Sequence, residues 1–175
     1  FSNESEPKTK IKLYQGLPKS EKMELIIQKC VELGIDEIVP VNTDRTIVKL
    51  VGKEDKKIVR WNKISEAAAK QSRRGKIPVI QPILNFSDAI KQANKNSLNI
   101  IPYEKEKSNT IKSIIKQFNG NSIGIFIGPE GGFSEKEITL AVENNIIPIT
   151  LGKRILRTET AGFITTAILL YELED

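Results

Sequence analysis

Apolar positions along this chain recur in two periods that replace each other from end to end. Residues 10–14 alternate apolar and polar, the two-residue period of a strand. From Ser20 the period lengthens. Met23, Ile26, Ile27, Cys30 and Val31 fall at helical spacing, with Ser20 as N-cap and Gly34 just past the end. A strand is expected over 35–41, a polar loop over 42–45 and a further extended piece over 46–50. The longest helical pattern spans 54–74, and Ile58, Trp61, Ile64 and Ala68 form its apolar stripe. A strand over 78–82, a short helix over 87–93 and a buried strand over 98–101 follow, then a loop from Pro102 to Glu104, a helix over 110–118 and a turn at 119–121. Residues 123–127 form an apolar run, as expected of a central strand covered on both faces. Ser134 and Glu137 stand at capping-box spacing, with Phe133 and Ile138 placed as a hydrophobic staple. That helix ends near Asn144 and Asn145. A last strand is expected over 146–151. Thr160 is placed to cap a final, nearly all-apolar helix over 161–173. Strand and helix in alternation predict an α/β fold with a mostly parallel sheet flanked by helices.

Composition removes several chemistries. With 175 residues the chain has room for one domain and a proper core. It contains no histidine, which excludes imidazole bases, Ser-His-Asp triads and the usual zinc sites, so no metal is expected. The single cysteine, Cys30, rules out an intrachain disulfide and points to a reducing, cytoplasmic compartment; on an apolar helical face it reads as core, not nucleophile. No apolar run approaches the roughly 18 residues of a membrane span. The net charge of +5 favours a polyanionic partner, although a lysine-rich background gives the same number. The chain begins at Phe1 rather than Met, so an upstream part is expected to be missing.

Two loops stand out, each between an apolar strand and a helix. The first is Gly128-Pro129-Glu130-Gly131-Gly132-Phe133, where three glycines permit close backbone approach to a ligand. It matches neither the Walker A loop nor the dinucleotide glycine motif. The second runs from Leu151 to Ala161 and carries Arg154, Arg157 and Glu159 beside a buried helix. Each has a bland alternative: a tight strand-to-helix turn for the first, an Arg157–Glu159 or Arg154–Glu130 ion pair that only fixes the loop for the second. The functional alternative is a pocket at the C-terminal ends of parallel strands. In the long helix, Arg60, Lys63, Lys70 and Arg74 fall in a narrow arc away from the apolar stripe. This arc is either a solvated face or, with Arg73 and Arg74 before Gly75, a phosphate-binding one.

The two loop motifs together resemble those of the bacterial uridine-N3 methyltransferases of 16S ribosomal RNA, a family within the SPOUT class. The similarity extends upstream through Lys22-Met23-Glu24, residues 28–34, Ile38-Val39-Pro40, Asp44-Arg45, Arg60-Trp61 and Gln71-Ser72, over about residues 11–175. The chain has Asp44 where the family usually has glutamate and Arg73 where it usually has glycine. Family members begin with a small β-barrel RNA-binding domain of the PUA type. Here residues 1–13 would be a tail and remnant of it, and residues 14–175 the methyltransferase domain.

The resemblance implies a deep C-terminal trefoil knot, a homodimer and S-adenosylmethionine as cofactor. It implies cofactor contacts from Ile101, Pro102, Ile127, Gly128, Glu130, Gly131, Leu151, Gly152, Ile155, Leu156, Arg157, Thr158, Thr160 and Ala161. The reaction would methylate N3 of a uridine in 16S ribosomal RNA of the small subunit. Glu159 or Glu130 would take the N3 proton, and Arg157 or Arg154 would stabilise the resulting anion. Arg45, Arg60, Lys63, Lys70, Arg73 and Arg74 are the expected RNA contacts. The alternatives are a SPOUT enzyme acting on a ribose 2′-hydroxyl, a non-catalytic RNA-binding relative, or an enzyme of small nucleotides.

Overall fold

The first strand of the chain becomes the middle of the sheet. In the computed structural model, which describes residues 5–174, β1 (Lys10–Gly16) pairs with β2 (Glu37–Asn42) on one side and β6 (Ser122–Ile127) on the other. β3 (Val79–Ile80) and β4 (Leu84–Asn85) extend the β2 side. β5 (Leu98–Pro102) follows β6, and β7 (Ile147–Ile149) closes that edge. Every pair is parallel and the order is β3-β2-β1-β6-β5-β7, with β4 also on β2. The expected mostly parallel sheet is present. Its C-terminal strand ends therefore all open on one side.

Neighbouring residues on a strand face opposite ways, so each central strand feeds two cores. Ile11, Leu13, Ile123 and Ile125 enter one core, while Tyr14 and Phe126 stack in the other with centroids 4.4 Å apart. The first core is covered by α1 (Lys22–Leu33), α2 (Glu54–Gln71), α4 (Ile111–Ile115) and α6 (Thr158–Leu173). The second is covered by α3 (Phe86–Ala93) and α5 (Glu135–Glu143). Among the described residues no helix is long and apolar enough to cross a membrane.

Several boundaries differ from expectation. Ser20 does not cap α1: its φ of +56° takes it out of the extended geometry a cap needs, and Glu21 stands at the N-cap without a side-chain bond. Residues 46–50 form no strand; Val48 and Leu50 instead pack onto the core. α2 stops at Gln71, and the positive φ of Arg73 (+58°) turns the chain away. The strand expected over 78–82 is only Val79–Ile80. Thr160 lies inside the first turn of α6, whose N-cap is Arg157 in extended backbone. Residues 10–13 belong to the central strand rather than a tail, because Ile11 and Leu13 are fully buried. Residues 1–4 of that expected tail lie outside the described residues.

Candidate active site at the strand ends

The strand ends of β5, β6 and β7 border a cavity of about 470 Å³. Its wall includes Pro102 at the end of β5, Ile127 at the end of β6, and Gly128, Glu130 and Gly131 after β6. The opposite wall is the loop after β7, with Leu151, Gly152, Ile155, Leu156, Arg157, Thr158, Glu159 and Ala161. The two loops singled out in the sequence thus face each other. Of the expected cofactor positions, Ile101 and Thr160 do not reach the cavity. Ile101 is wholly buried in the second core, and Thr160 is turned into the first turn of α6, its N–H bonded to the Arg157 carbonyl.

The glycine loop is shaped by close approach. A Cβ on Gly16, at the end of β1, would lie 2.6 Å from Cδ of Pro129. A Cβ on Gly128 would lie 3.0 Å from the Gly132 backbone, and Gly132 itself has a φ of +69°. Side chains in these places would force the loop open. The loop is also tied from β2. Arg45 donates to the Gly131 carbonyl at 2.8 Å, the Asp44 N–H donates to Glu137 Oε1 at 2.7 Å, and the Ser134 hydroxyl donates to Asp44. The Ser134–Glu137 capping box is fully formed, and Phe133 and Ile138 are buried in the same cluster.

The second loop is held at its root. Tyr103 N–H donates to the Ile149 carbonyl and Thr150 N–H to the Asn109 carbonyl at 2.8 Å. Glu106 organises that neighbouring turn. Its carboxylate accepts from the N–H groups of Ser108 (2.7 Å), Asn109 (3.1 Å) and Lys107 (2.9 Å) and from the Ser108 hydroxyl. These donors, Ser108 N–H first, hold its carboxyl down to about 2. Beyond Thr150 the backbone turns at Gly152 (φ +108°) and leaves Ile155 at 85% exposure on the rim.

The charges do not form the loop-fixing ion pairs of the bland alternative. No Arg157–Glu159 or Arg154–Glu130 pair forms among the described residues. Arg154 and Arg157 are exposed on the rim. The cation beside both carboxylates is Lys22, with Nζ 3.1 Å from Glu130 Oε1 and 4.0 Å from Glu159 Oε2. Glu130 also accepts from the Lys19 N–H at 2.8 Å. Burial works to raise its pKa, but backbone N–H donors and the Lys22 ammonium outweigh this and hold it low. Glu159 differs: its Oε2 is buried and accepts no hydrogen bond. Lys22 was visible in the sequence only within a resembling block. Its position just after the end of the central strand is the signal that marks it.

The expected RNA contacts scatter. Arg45 lines the cavity, while no residue of α2 does. Arg60 pairs with Glu24 and Lys70 with Glu66 at 2.6 Å, so much of the basic arc is neutralised locally. Lys63 and Arg73 are exposed. Arg74 is not on a surface at all: it is 4% exposed, donates to the carbonyls of Val31 and Ile35, and pairs with Glu6 at 2.7 Å. Its guanidinium satisfies the end of α1, which removes it from the RNA-binding set.

Comparison with known proteins places this geometry. A family model described as an RNA methyltransferase domain matches residues 4–170. The chain is 41% identical over 158 residues to the ribosomal RNA small subunit methyltransferase E of Mesomycoplasma hyopneumoniae, covering 90% of this chain and 68% of that protein. It is 34% identical over 171 residues to the Bacillus subtilis protein of the same name, covering 94% and 67%. The crystal structure of the corresponding Neisseria gonorrhoeae protein, bound to S-adenosyl methionine, superposes with a TM-score of 0.88 at 32% identity, covering 98% of this chain and 70% of that one. With its parallel sheet, its cavity at the strand ends and this likeness over nearly its whole length, the chain belongs to the RNA methyltransferase family, among the small-subunit ribosomal RNA methyltransferases E.

Proposed function

We propose that this chain is the catalytic domain of an S-adenosylmethionine-dependent methyltransferase that methylates N3 of a uridine in 16S ribosomal RNA. The observation that carries it is the cavity between the glycine loop and the 151–161 loop, with Glu159 in its wall beside the Lys22 ammonium. Its volume lies within the roughly 300–1,000 Å³ usual for small-molecule sites. The glycine loop offers bare backbone for a polar cofactor, which fits S-adenosylmethionine. That cofactor supplies an electrophilic methyl group. Glu159 accepts the uridine N3 proton on its carboxylate, whose Oε2 accepts no hydrogen bond within the protein. Glu130 is the poorer base, because the Lys22 ammonium and two backbone donors already occupy it. Arg157 or Arg154 donates to O2 or O4 of the uracil as negative charge develops there. Assembly as a homodimer, a cytoplasmic location, the knotted threading of the 151–161 loop and phosphate contacts from Arg45, Lys63 and Arg73 belong to the same proposal.

Calorimetric titration with S-adenosylhomocysteine tests the site. Micromolar binding is expected for the chain and none for Gly131→Arg, whose side chain would collide with Arg45, already 3.2 Å from an added Cβ. Glu159→Gln and Arg157→Ala are expected to keep that affinity and lose methyl transfer by at least about a hundredfold. Full activity in both would refute the assigned roles. Nucleoside analysis of the product separates N3 from ribose methylation.

A further inference from the structure

We infer that Gln15 is a positioning residue that sets the spacing of the two cavity loops through the hydroxyl of Thr158. Gln15 lies in the central strand, is wholly buried and does not line the cavity. Its Nε2 donates to the Gly16 carbonyl at 2.9 Å and to Thr158 Oγ1 at 2.9 Å. The Thr158 hydroxyl donates in turn to the Gly128 carbonyl at 2.6 Å. One strand side chain is thus linked to both loops: to Gly128, the first residue of the glycine loop, and to Thr158, where the 151–161 loop enters α6.

The direction of this chain follows from proton count. A hydroxyl has one proton, and the short contact to a carbonyl takes it. Gln15 must therefore present N–H to Thr158, as it does to Gly16, and its Oε1 is left buried without a donor. The orphaned Oε1 carries a desolvation cost that offsets part of what the two N–H bonds contribute. The fold keeps it where leucine would pack, next to α6, with a Cβ on Gly162 falling 3.6 Å from Oε1. Both donors of the amide are spent at the roots of the cavity loops, on Gly16 and on Thr158. The Thr158 hydroxyl spends its proton on Gly128 and one lone pair on Gln15, which fixes its place in the cavity wall.

This rests on the proposal that the two loops hold S-adenosylmethionine. The test compares Gln15→Leu, Thr158→Val, Thr158→Ser and the Gln15→Leu/Thr158→Val double variant in the chain, by titration with S-adenosylhomocysteine, melting temperature and amide hydrogen exchange. Gln15→Leu is expected to remain folded, as judged by a single cooperative melt, and to bind about tenfold more weakly. Thr158→Val is expected to weaken binding similarly, Thr158→Ser to restore it, and the double variant to be no worse than the worse single. Exchange should quicken together in segments 128–133 and 152–158 of the weakened variants. Unchanged affinity in Gln15→Leu and Thr158→Val, or additive losses, would overturn the inference. A parent that binds no S-adenosylhomocysteine would instead fail the functional proposal, and the exchange data alone would then decide whether Gln15 couples the loops.

Discussion

Arg74 shows how far a single side chain can lie from its apparent role. Spaced with Lys70 and Lys63 it looks like a surface cation, but its guanidinium caps carbonyls at the end of α1 and pairs with Glu6. Arg74→Ala strands two carbonyls and a carboxylate, and should lower stability by about 3 kcal/mol in urea unfolding. The Glu6 carboxyl is pushed up by burial but pulled lower overall by Arg74 and by the N–H groups of Lys76 and Gly75. A lowered carboxyl contributes stability above its unfolded value, and that stability is lost as pH falls through the folded value. Glu6→Gln should therefore flatten the acid side of the stability profile, leaving a smaller drop on acidification than in the parent. Gly16 is a second case. Gly16→Ala drives a methyl into Pro129 and should weaken S-adenosylhomocysteine binding by about tenfold or more, read by the same titration.

Among the elements, local signals decide the structure where both partners sit within one turn. The capping box of α5 needs only Ser134 and Glu137, three residues apart, and it is present as expected. Its loss has a defined size: Ser134→Ala should reduce stability by about 1 kcal/mol in denaturant unfolding, and more if the Asp44 contact is also counted. The caps of α1 and α6 fall elsewhere than residue type predicts, for one reason. Ser20 and Thr160 are capping residue types, but backbone torsion set by the neighbouring loops, not residue type, decides the cap. The apolar residues at 46–50 likewise reach the core without pairing, which their pattern alone cannot distinguish from a strand.

At the scale of the whole molecule, the parallel strands gather five separated segments at one edge: the start of α1, the loop after β2, the loop after β5, the glycine loop and the 151–161 loop. Lys22 stands beside Glu130 and Glu159 although more than a hundred positions separate them. The rim carries Lys153, Arg154 and Arg157, while the arc on α2 is partly cancelled by its own carboxylates. The sequence by itself determined what depends on near neighbours: the α/β class, most strands and helices, the two loops, and the motifs that carry the family resemblance. It took the folded chain to show that Lys22 stands beside both carboxylates, that Glu159 Oε2 accepts no hydrogen bond, that Arg74 is buried, and that Gln15 links both loops. Periodicity and capping are set within a few residues of chain, whereas ion pairing and burial depend on which strand ends the sheet order brings together.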